Sequence, residues 1–508
     1  MITDKSDRMQ SLEDVVGRVA CLSLPSQCVV GGEHVGAPLG TVYENVSPRD
    51  GKILNRVPNC GAGEIDAAVQ SARAAFEDGR WRKLAPRDKK ARLFALADLM
   101  SWELEELALM EALDTGKPIS DALSVDIPLA IQSVRWFAEA IDKVYGEVGP
   151  SNDSKLSIAV HEPLGVIGAI TPWNFPLHMA MWKVAPALAM GNSVVLKPAE
   201  QTPLTAIRVA ELALDAGIPA GVFNVVTGYG ETAGQALARH HDVDMIAFTG
   251  SGAVGRKLMA YAGESNLKRV SLELGGKSPQ IVFDDCPDLH AAAEAAAWAI
   301  FFNQGEVCTA ASRLLVQESI REKFLDEVVE VARSITVGDP LDPQTRFGAM
   351  VSEQQLNTTL RYIDKARQEG GKLLLGGERI RQETGGYYVE PTIFDGIKSS
   401  STLAREEVFG PVLGVMSFKD TSEAVKLAND TVYGLAAGLW TANLDRAMSV
   451  SRALRAGLVW VNGWDSCDIT MPFGGFKQSG FGRDRSLHAM HKYADLKAIT
   501  FTIRDAAV

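Results

Sequence analysis

Residues 245–255 read M-I-A-F-T-G-S-G-A-V-G. The first four are apolar and end on Phe248; the rest are small, with Gly250, Ser251, Gly252 and Gly255. A strand, a tight turn and a helix start in that order form a phosphate-binding βα unit, because a helix N-terminus presents unpaired N–H groups to an anion. Alone the pattern is weak, since a glycine-rich helix start also serves close packing. Its surroundings decide the fold. Apolar runs at 166–170, 193–196, 222–227 and 270–273 alternate with helical patterns at 186–190, 205–216, 233–239 and 254–262. This alternation predicts an α/β protein with a parallel sheet covered on both faces and ligands held beyond the carboxyl ends of the strands.

Outward from this block the pattern changes twice. Residues 25–60 are short β-like runs broken by Gly, Pro and Asn, with a hairpin turn at Asp50-Gly51. Residues 64–144 are helical by spacing. Residues 145–166 read as a hairpin, and 496–503 alternate like an edge strand in need of a partner, in the hairpin or in another subunit. A second βα block runs from 279 to 475, with strands at 280–283, 313–316 and 457–461.

At 508 residues the chain exceeds one core and predicts two or three domains. The net charge of -12 argues against nucleic acid and anionic membrane surfaces as partners. No apolar run is long enough to span a bilayer, and the first twenty residues, a short helix or partly disordered, lack an apolar signal core. Six cysteines, at 21, 28, 60, 286, 308 and 467, show no metal-ligand spacing. That speaks for a reducing, cytoplasmic setting and no metal site.

Four stretches carry chemistry at predicted strand ends. Lys197 and Glu200 follow the strand at 193–196 and suit a ribose: the carboxylate accepts from hydroxyls and the ammonium donates. Glu273 ends an apolar strand before two glycines, where a carboxylate is costly unless hydrated, paired or used as a base. The bland alternative is an ion pair, with Lys277. Asn174 lies in the rigid loop T-P-W-N-F-P at 171–176 and offers an amide donor suited to an oxyanion. Cys308 lies in F-F-N-Q-G-E-V-C-T-A-A-S-R at 301–313, between an Ala-rich helix at 289–299 and the strand at 313–316. A lone cysteine there is ordinarily a packed thiol. Thiol, carboxylate, amide donor and anion-binding helix start together point to an enzyme.

These residues resemble the NAD(P)-dependent aldehyde dehydrogenase superfamily over about residues 29–503. The motifs are T-P-W-N-F-P, L-K-P-A-E at 196–200, F-T-G-S at 248–251, L-E-L-G-G-K-S-P at 272–279, F-N-Q-G-E-V-C at 302–308, E-E-V-F-G-P-V at 406–412 and P-F-G-G-F-K-Q-S-G at 472–480. The resemblance implies a fold of two Rossmann-like parallel-sheet domains plus a small β oligomerisation domain. It divides the chain into an NAD-binding part (1–144 and 165–274), a catalytic part (275–484) and an oligomerisation hairpin and C-terminal strand (145–164 and 485–508). It implies Cys308 as nucleophile, Glu273 as general base, and Asn174 with the Cys308 N–H as oxyanion hole. Thr171, Trp173, Lys197, Glu200, Gly230, Gly250, Ser251, Leu274, Glu407 and Phe409 are the implied cofactor contacts. The cofactor is expected to be NAD more than NADP, because Glu200 repels a 2′-phosphate. The product is expected to be a carboxylic acid, and the assembly a homodimer or homotetramer.

Within the family the runs at 111–119, 136–148 and 477–489 resemble bacterial enzymes for γ-glutamylamino-, guanidino- and other aminobutyraldehydes. The expected substrate tunnel is lined by Asp126, Phe175, Met179, Trp182, Val307, Thr309, Cys467, Asp468 and Phe473. Asp126 and Asp468 would draw a cationic aldehyde, while the aromatic residues would suit an aromatic or medium-chain one. A cysteine esterase and a non-catalytic scaffold protein are the competing classes. Cys308 is expected to be partly exposed, with a pKa below that of a buried thiol and the Asn174 amide and its own N–H as nearest donors.

Overall fold

The computed structural model describes residues 9, 11–36, 41–465 and 468–504. Its first sheet has eight strands in the order Glu33–Val35, Cys28–Val30, Phe223–Val225, Ser193–Lys197, Val166–Ile170, Met245–Thr249, Arg269–Glu273 and Gly480–Phe481. The central five are parallel. Counted along the chain they lie 3-2-1-4-5, so the direction of winding reverses between Val166–Ile170 and Met245–Thr249. A crevice opens at such a switch point, outside the carboxyl ends of the strands. Thr171 and Gly250 leave those two strands on either side of it.

The second sheet has seven strands, in the order Lys372–Leu375, Thr392–Asp395, Val412–Phe418, Arg313–Gln317, Pro279–Val282, Ala436–Trp440 and Leu458–Val461. Only the edge strand Lys372–Leu375 is antiparallel. Separate hydrophobic cores flank the two sheets: Ile167, Val194, Val225 and Met181 fall in one, and Ile281, Leu315, Val412 and Leu439 in another. A third sheet pairs Ala494–Thr502 with Lys155–Pro163, which pairs in turn with Glu147–Val148. The fold is therefore α/β with two parallel-sheet layers and a small antiparallel sheet, as the alternation of elements requires.

One local reading changes, and one left open between two partners is decided. The helix expected at 186–190 spans Pro176–Ala189, with all fourteen residues buried. Pro176 is not the last loop residue but the first helical one, where a missing N–H costs nothing and the fixed φ fits. The C-terminal strand finds its partner in the hairpin of its own chain. Gly480–Phe481, far along the sequence, adds an antiparallel strand to the first sheet by pairing Glu273 with Gly480. The helix Leu12–Cys21 occupies part of the N-terminal stretch, capped by Ser11.

Candidate active site

The residues singled out in the sequence converge between the carboxyl ends of the first sheet and the amino ends of the second. Glu273 closes the strand Arg269–Glu273, and the chain crosses through Leu274–Ser278 into Pro279–Val282. Cys308 precedes the strand Arg313–Gln317, at its amino end rather than its carboxyl end. The crossing is tight. A Cβ on Gly276 would lie 2.6 Å from the Cys308 carbonyl oxygen, and one on Gly275 would lie 1.8 Å from a Glu407 carboxylate oxygen. Glycine at both positions lets the acid, the thiol and Glu407 share one space.

The Cys308 loop is held by strained backbone. Asn303 and Gln304 have φ of 48° and 56°, and Gly305 has φ of 72° against the Gly410 carbonyl. Asn174 ties this loop to the first sheet. Its Nδ2 donates to the Glu306 carbonyl at 2.8 Å, and its own carbonyl accepts from Asn303 Nδ2 at 3.1 Å and Lys117 Nζ at 2.9 Å. One amide hydrogen of Asn174 is thus committed to the loop and one is left over.

Cys308 is partly exposed, but its pKa runs opposite to expectation. Burial pushes it up to about 12, with Glu407, Asp465 and Glu273 adding to the shift. The donor acting on the sulfur is the Thr309 N–H, not the Asn174 amide. Negative neighbours and an apolar wall outweigh a single hydrogen bond. Glu273 is not in an ion pair with Lys277: both carboxylate oxygens are buried without a hydrogen-bond partner. Burial raises its pKa well above the ordinary carboxylate range, and Asp484 adds to the rise. Lys183 and Lys492, which would oppose it, are bound to Asp484. A carboxyl held neutral this way is a strong proton acceptor once ionised.

The switch-point crevice has the features a dinucleotide needs. The helix Gly252–Glu264 starts there, with Ser251 Oγ accepting the Val254 N–H at 3.3 Å. Leu274 packs on Gly255 within this turn. The hydroxyls of Thr171 and Thr249 are buried at the strand ends without partners. Lys197 Nζ donates to Glu200 at 3.2 Å, with Glu200 about one-third exposed. Gly230 opens the turn Gly230–Gly234 after the strand Phe223–Val225, with open space where a Cβ would be. Trp173 meets Phe409 edge to face at 5.1 Å. Phe409 has φ of 54°, and Gln355 Nε2 donates to its carbonyl at 2.7 Å. Glu407 accepts the Gly276 N–H at 2.9 Å, and burial pushes its pKa up to about 7.

Cys308 opens into a cavity of about 60 Å³ lined by Asp126, Phe175, Met179, Trp182, Val307, Thr309 and Phe473, together with Leu129, His178 and Arg485. Val125, Leu129, Phe302, Val307 and Asp465 border both it and an outer chamber of about 390 Å³ that Trp298 and Trp464 also line. The two acids expected to attract cations are placed differently. Asp126 is buried in an ion pair with Lys117, although its Oδ2 has no hydrogen-bond partner. Asp468 is not among the cavity residues; it accepts from the Thr470 N–H and hydroxyl, both at 2.8 Å, closing its own exposed turn. Cys467 lies outside the described residues. Arg485 is the cation of the inner cavity, its guanidinium 4.5 Å from the Trp182 ring centroid and 4.9 Å from that of Phe473.

The profile described as the aldehyde dehydrogenase family matches residues 36–499. The chain belongs to this family. It is 49% identical over 482 residues to the NADP/NAD-dependent aldehyde dehydrogenase PuuC of Escherichia coli strain K12, covering 95% of this chain and 97% of that one. An indole-3-acetaldehyde dehydrogenase of P. syringae, solved with NAD+, is 54% identical with a TM-score of 0.97 and covers 97% of this chain and 100% of its own. A gamma-glutamyl-gamma-aminobutyraldehyde dehydrogenase of Burkholderia cenocepacia is 54% identical with a TM-score of 0.96, at the same coverage. The protein is therefore an aldehyde dehydrogenase.

Several residues of this aldehyde dehydrogenase site had no signal in the sequence. Lys117 sits in D-T-G-K-P, which reads as a helix break. Arg485 sits in G-R-D-R-S, part of the run 477–489 that carries the family resemblance but gives Arg485 no role. Phe302 was legible as apolar, but its place at the boundary of the two chambers depends on the strained turn that follows.

Proposed function

We propose that the protein oxidises an aldehyde to a carboxylic acid with NAD, using Cys308 as nucleophile and Glu273 as base. The observation that carries this reading is a carboxylate buried with both oxygens unpaired, close enough to a partly exposed thiol to raise its pKa. The thiol gives its proton to solvent as its sulfur bonds to the aldehyde carbon, and the carbonyl π pair moves onto oxygen as the alkoxide of a thiohemiacetal on Cys308. The free Asn174 amide hydrogen and the Cys308 N–H would take the oxyanion; such a donor is worth about 2.7–4 kcal/mol. When bound, NAD supplies the hydride acceptor. Cys308 then carries a thioester. Glu273 takes a proton from water, the hydroxyl adds to the thioester carbon, and the C–S bond breaks, releasing the carboxylic acid and leaving the sulfur on Cys308 as a thiolate that the Glu273 proton can restore to the thiol.

The residues around the crevice fit the dinucleotide. Lys197 and Glu200 would hold the adenosine ribose, and Glu200 would disfavour a 2′-phosphate. Ser251, Gly250, Gly230, Leu274 and Thr171 would surround the pyrophosphate, and Trp173, Glu407 and Phe409 the nicotinamide half. We assign residues 1–144 and 165–274 to the NAD-binding part, 275–484 to the catalytic part, and 145–164 with 485–508 to subunit contacts in a cytoplasmic dimer or tetramer.

For the substrate, relatives named for amino-substituted butyraldehydes support an ω-amino, γ-glutamylamino or guanidino butyraldehyde, with Asp126 Oδ2 as its anchor. A second reading, an aromatic or medium-chain aldehyde, is favoured by a specific observation. The wall beyond Cys308 is Phe175, Met179, Trp182 and Phe473, with the Arg485 guanidinium over the rings of Trp182 and Phe473. The decisive experiment measures NADH formation with aliphatic, aromatic and ω-amino aldehydes against NAD and NADP. Asp126→Ala raising KM for aminoaldehydes alone supports the first substrate; an equal change for hexanal supports the second. Ester hydrolysis without NAD, and no NADH from any aldehyde, would replace the dehydrogenase mechanism with a hydrolase. Among the described residues no histidine is hydrogen-bonded to Cys308: burial pushes the pKa of His178, on the same cavity, down to about 3, and its Nδ1 has no hydrogen-bond partner.

A further inference from the structure

Away from the reacting centre, two other cysteines face each other. Cys28 opens the strand Cys28–Val30, and Cys60 follows the strand Ile53–Pro58, ahead of the helix Ala62–Asp78. Their sulfurs are 3.5 Å apart, brought together by the fold across 32 residues of sequence. We propose that Cys28 and Cys60 are a peroxide-sensitive modification site, forming a reversible disulfide that alters the loop entering Gly230.

The surroundings suit the chemistry. The Thr227 N–H donates to the Cys28 sulfur at 3.3 Å, and the Thr227 hydroxyl lies 3.3 Å from it. The Cys60 thiol adds a donor, which together with Thr227 pushes the Cys28 pKa down to about 7 and raises that of Cys60. The Thr227 N–H acts on the Cys28 sulfur and favours its thiolate, which makes Cys28 the attacking and Cys60 the resolving thiol. Both cysteines are buried, with Ser26, Gln27 and Ala62 exposed next to them along the chain. With hydrogen peroxide the Cys28 thiolate takes one oxygen to become a sulfenic acid, releasing hydroxide. The Cys60 sulfur displaces that oxygen and forms the S–S bond. The Cys60 proton and the proton Cys28 had already released complete two waters. Each sulfur is oxidised by one electron, and the peroxide is reduced by two.

Bond formation shortens the sulfur separation to about 2.05 Å. Cys60 cannot move alone. Its carbonyl accepts from Thr232 Oγ1 at 3.5 Å, and a Cβ on Gly228 would lie 2.7 Å from the same oxygen. Oxidation therefore pulls on residues 228–232. The expected consequence, weaker NAD binding, rests on the cofactor reading above; the disulfide itself does not.

The test uses the full chain carrying Cys308→Ala, so that oxidation of that thiol cannot account for the result. After treatment with hydrogen peroxide, a non-reduced digest should contain a Cys28–Cys60 cross-linked peptide lighter by two hydrogens. The Kd for NAD should rise severalfold and return after thiol reduction. Cys28→Ser and Cys60→Ser, made separately, should each abolish both changes. Cys28 and Cys60 both remaining open to alkylation after denaturation would overturn the proposal. A cross-link with an unchanged Kd would overturn the control of the loop. Failure to bind NAD before oxidation would count against the cofactor reading instead.

Discussion

Cys308 carries a thiol that burial and three nearby carboxylates hold protonated at neutral pH, with a pKa pushed up to about 12. Alkylation of Cys308 by iodoacetamide, followed by mass spectrometry, should therefore accelerate steadily from about pH 7 to pH 10 without a plateau, because the thiolate is the reacting species. A plateau near neutrality would show a thiolate already formed. Glu273 has the same sign of shift: its raised pKa means that the base form is lost as pH falls through that value. The turnover rate should rise with pH, and Glu273→Gln should flatten the rise. That substitution should lower kcat by about 10²–10⁴-fold while sparing a single-turnover burst of NADH, since only thioester hydrolysis needs the base. Loss of the burst as well would give Glu273 an earlier role. The identities of thiol, acid and amide were legible in the residue types and their motifs. The direction of the Cys308 shift was not, because it is set by burial first and then by Glu407, Asp465 and Glu273, all of which depend on segments remote in sequence.

At the scale of elements, the site depends on how the short segment 116–126 packs between two helices. Lys117 follows the helix Leu104–Thr115, and Asp126 ends the π-turn that leads into Ile127–Ala140. Their buried ion pair, with the bond from Lys117 to the Asn174 carbonyl, joins this segment to the Pro176–Ala189 helix start. Lys117→Met should cost about 3–5 kcal/mol of stability, because it leaves a buried carboxylate uncompensated. Differential scanning calorimetry should show a lower Tm, and Lys117→Met with Asp126→Asn should recover part of it. Equal Tm values for the single and double variants would mean that the pair does not act as a unit. The strands named from the sequence lie within a residue or two of the observed ones because each is a short apolar run, whereas Lys372–Leu375, Thr392–Asp395, Val412–Phe418 and Ala436–Trp440 were not singled out. The Pro176 helix start was missed because a proline ends a loop and begins a helix with equal ease.

For the whole molecule, the Ala494–Thr502 strand is an edge with Leu496 62% and Phe501 49% exposed. An exposed edge of nine residues with apolar side chains is a template for pairing with another copy, which is what the dimer or tetramer proposed above would use. Leu496→Asp with Phe501→Asp should reduce the particle mass seen by multi-angle light scattering. A monomeric parent protein would remove the basis for that assignment. No helix among the described residues is long and apolar enough to cross a membrane.

The alternation of short apolar runs with helical spacing determined a parallel α/β sheet, since each periodicity allows only one way to bury its apolar face. The glycines and polar residues at the strand ends marked where a ligand and a nucleophile would be found. Tertiary structure alone decided which charges are available there. Asp126 faces Lys117, Asp468 closes its own turn, and Arg485 lies on Trp182 and Phe473. It also decided that Cys28 and Cys60 meet. Pairings of this kind depend on contacts between distant segments, and the periodicity of a segment carries no information about which remote side chain will face it.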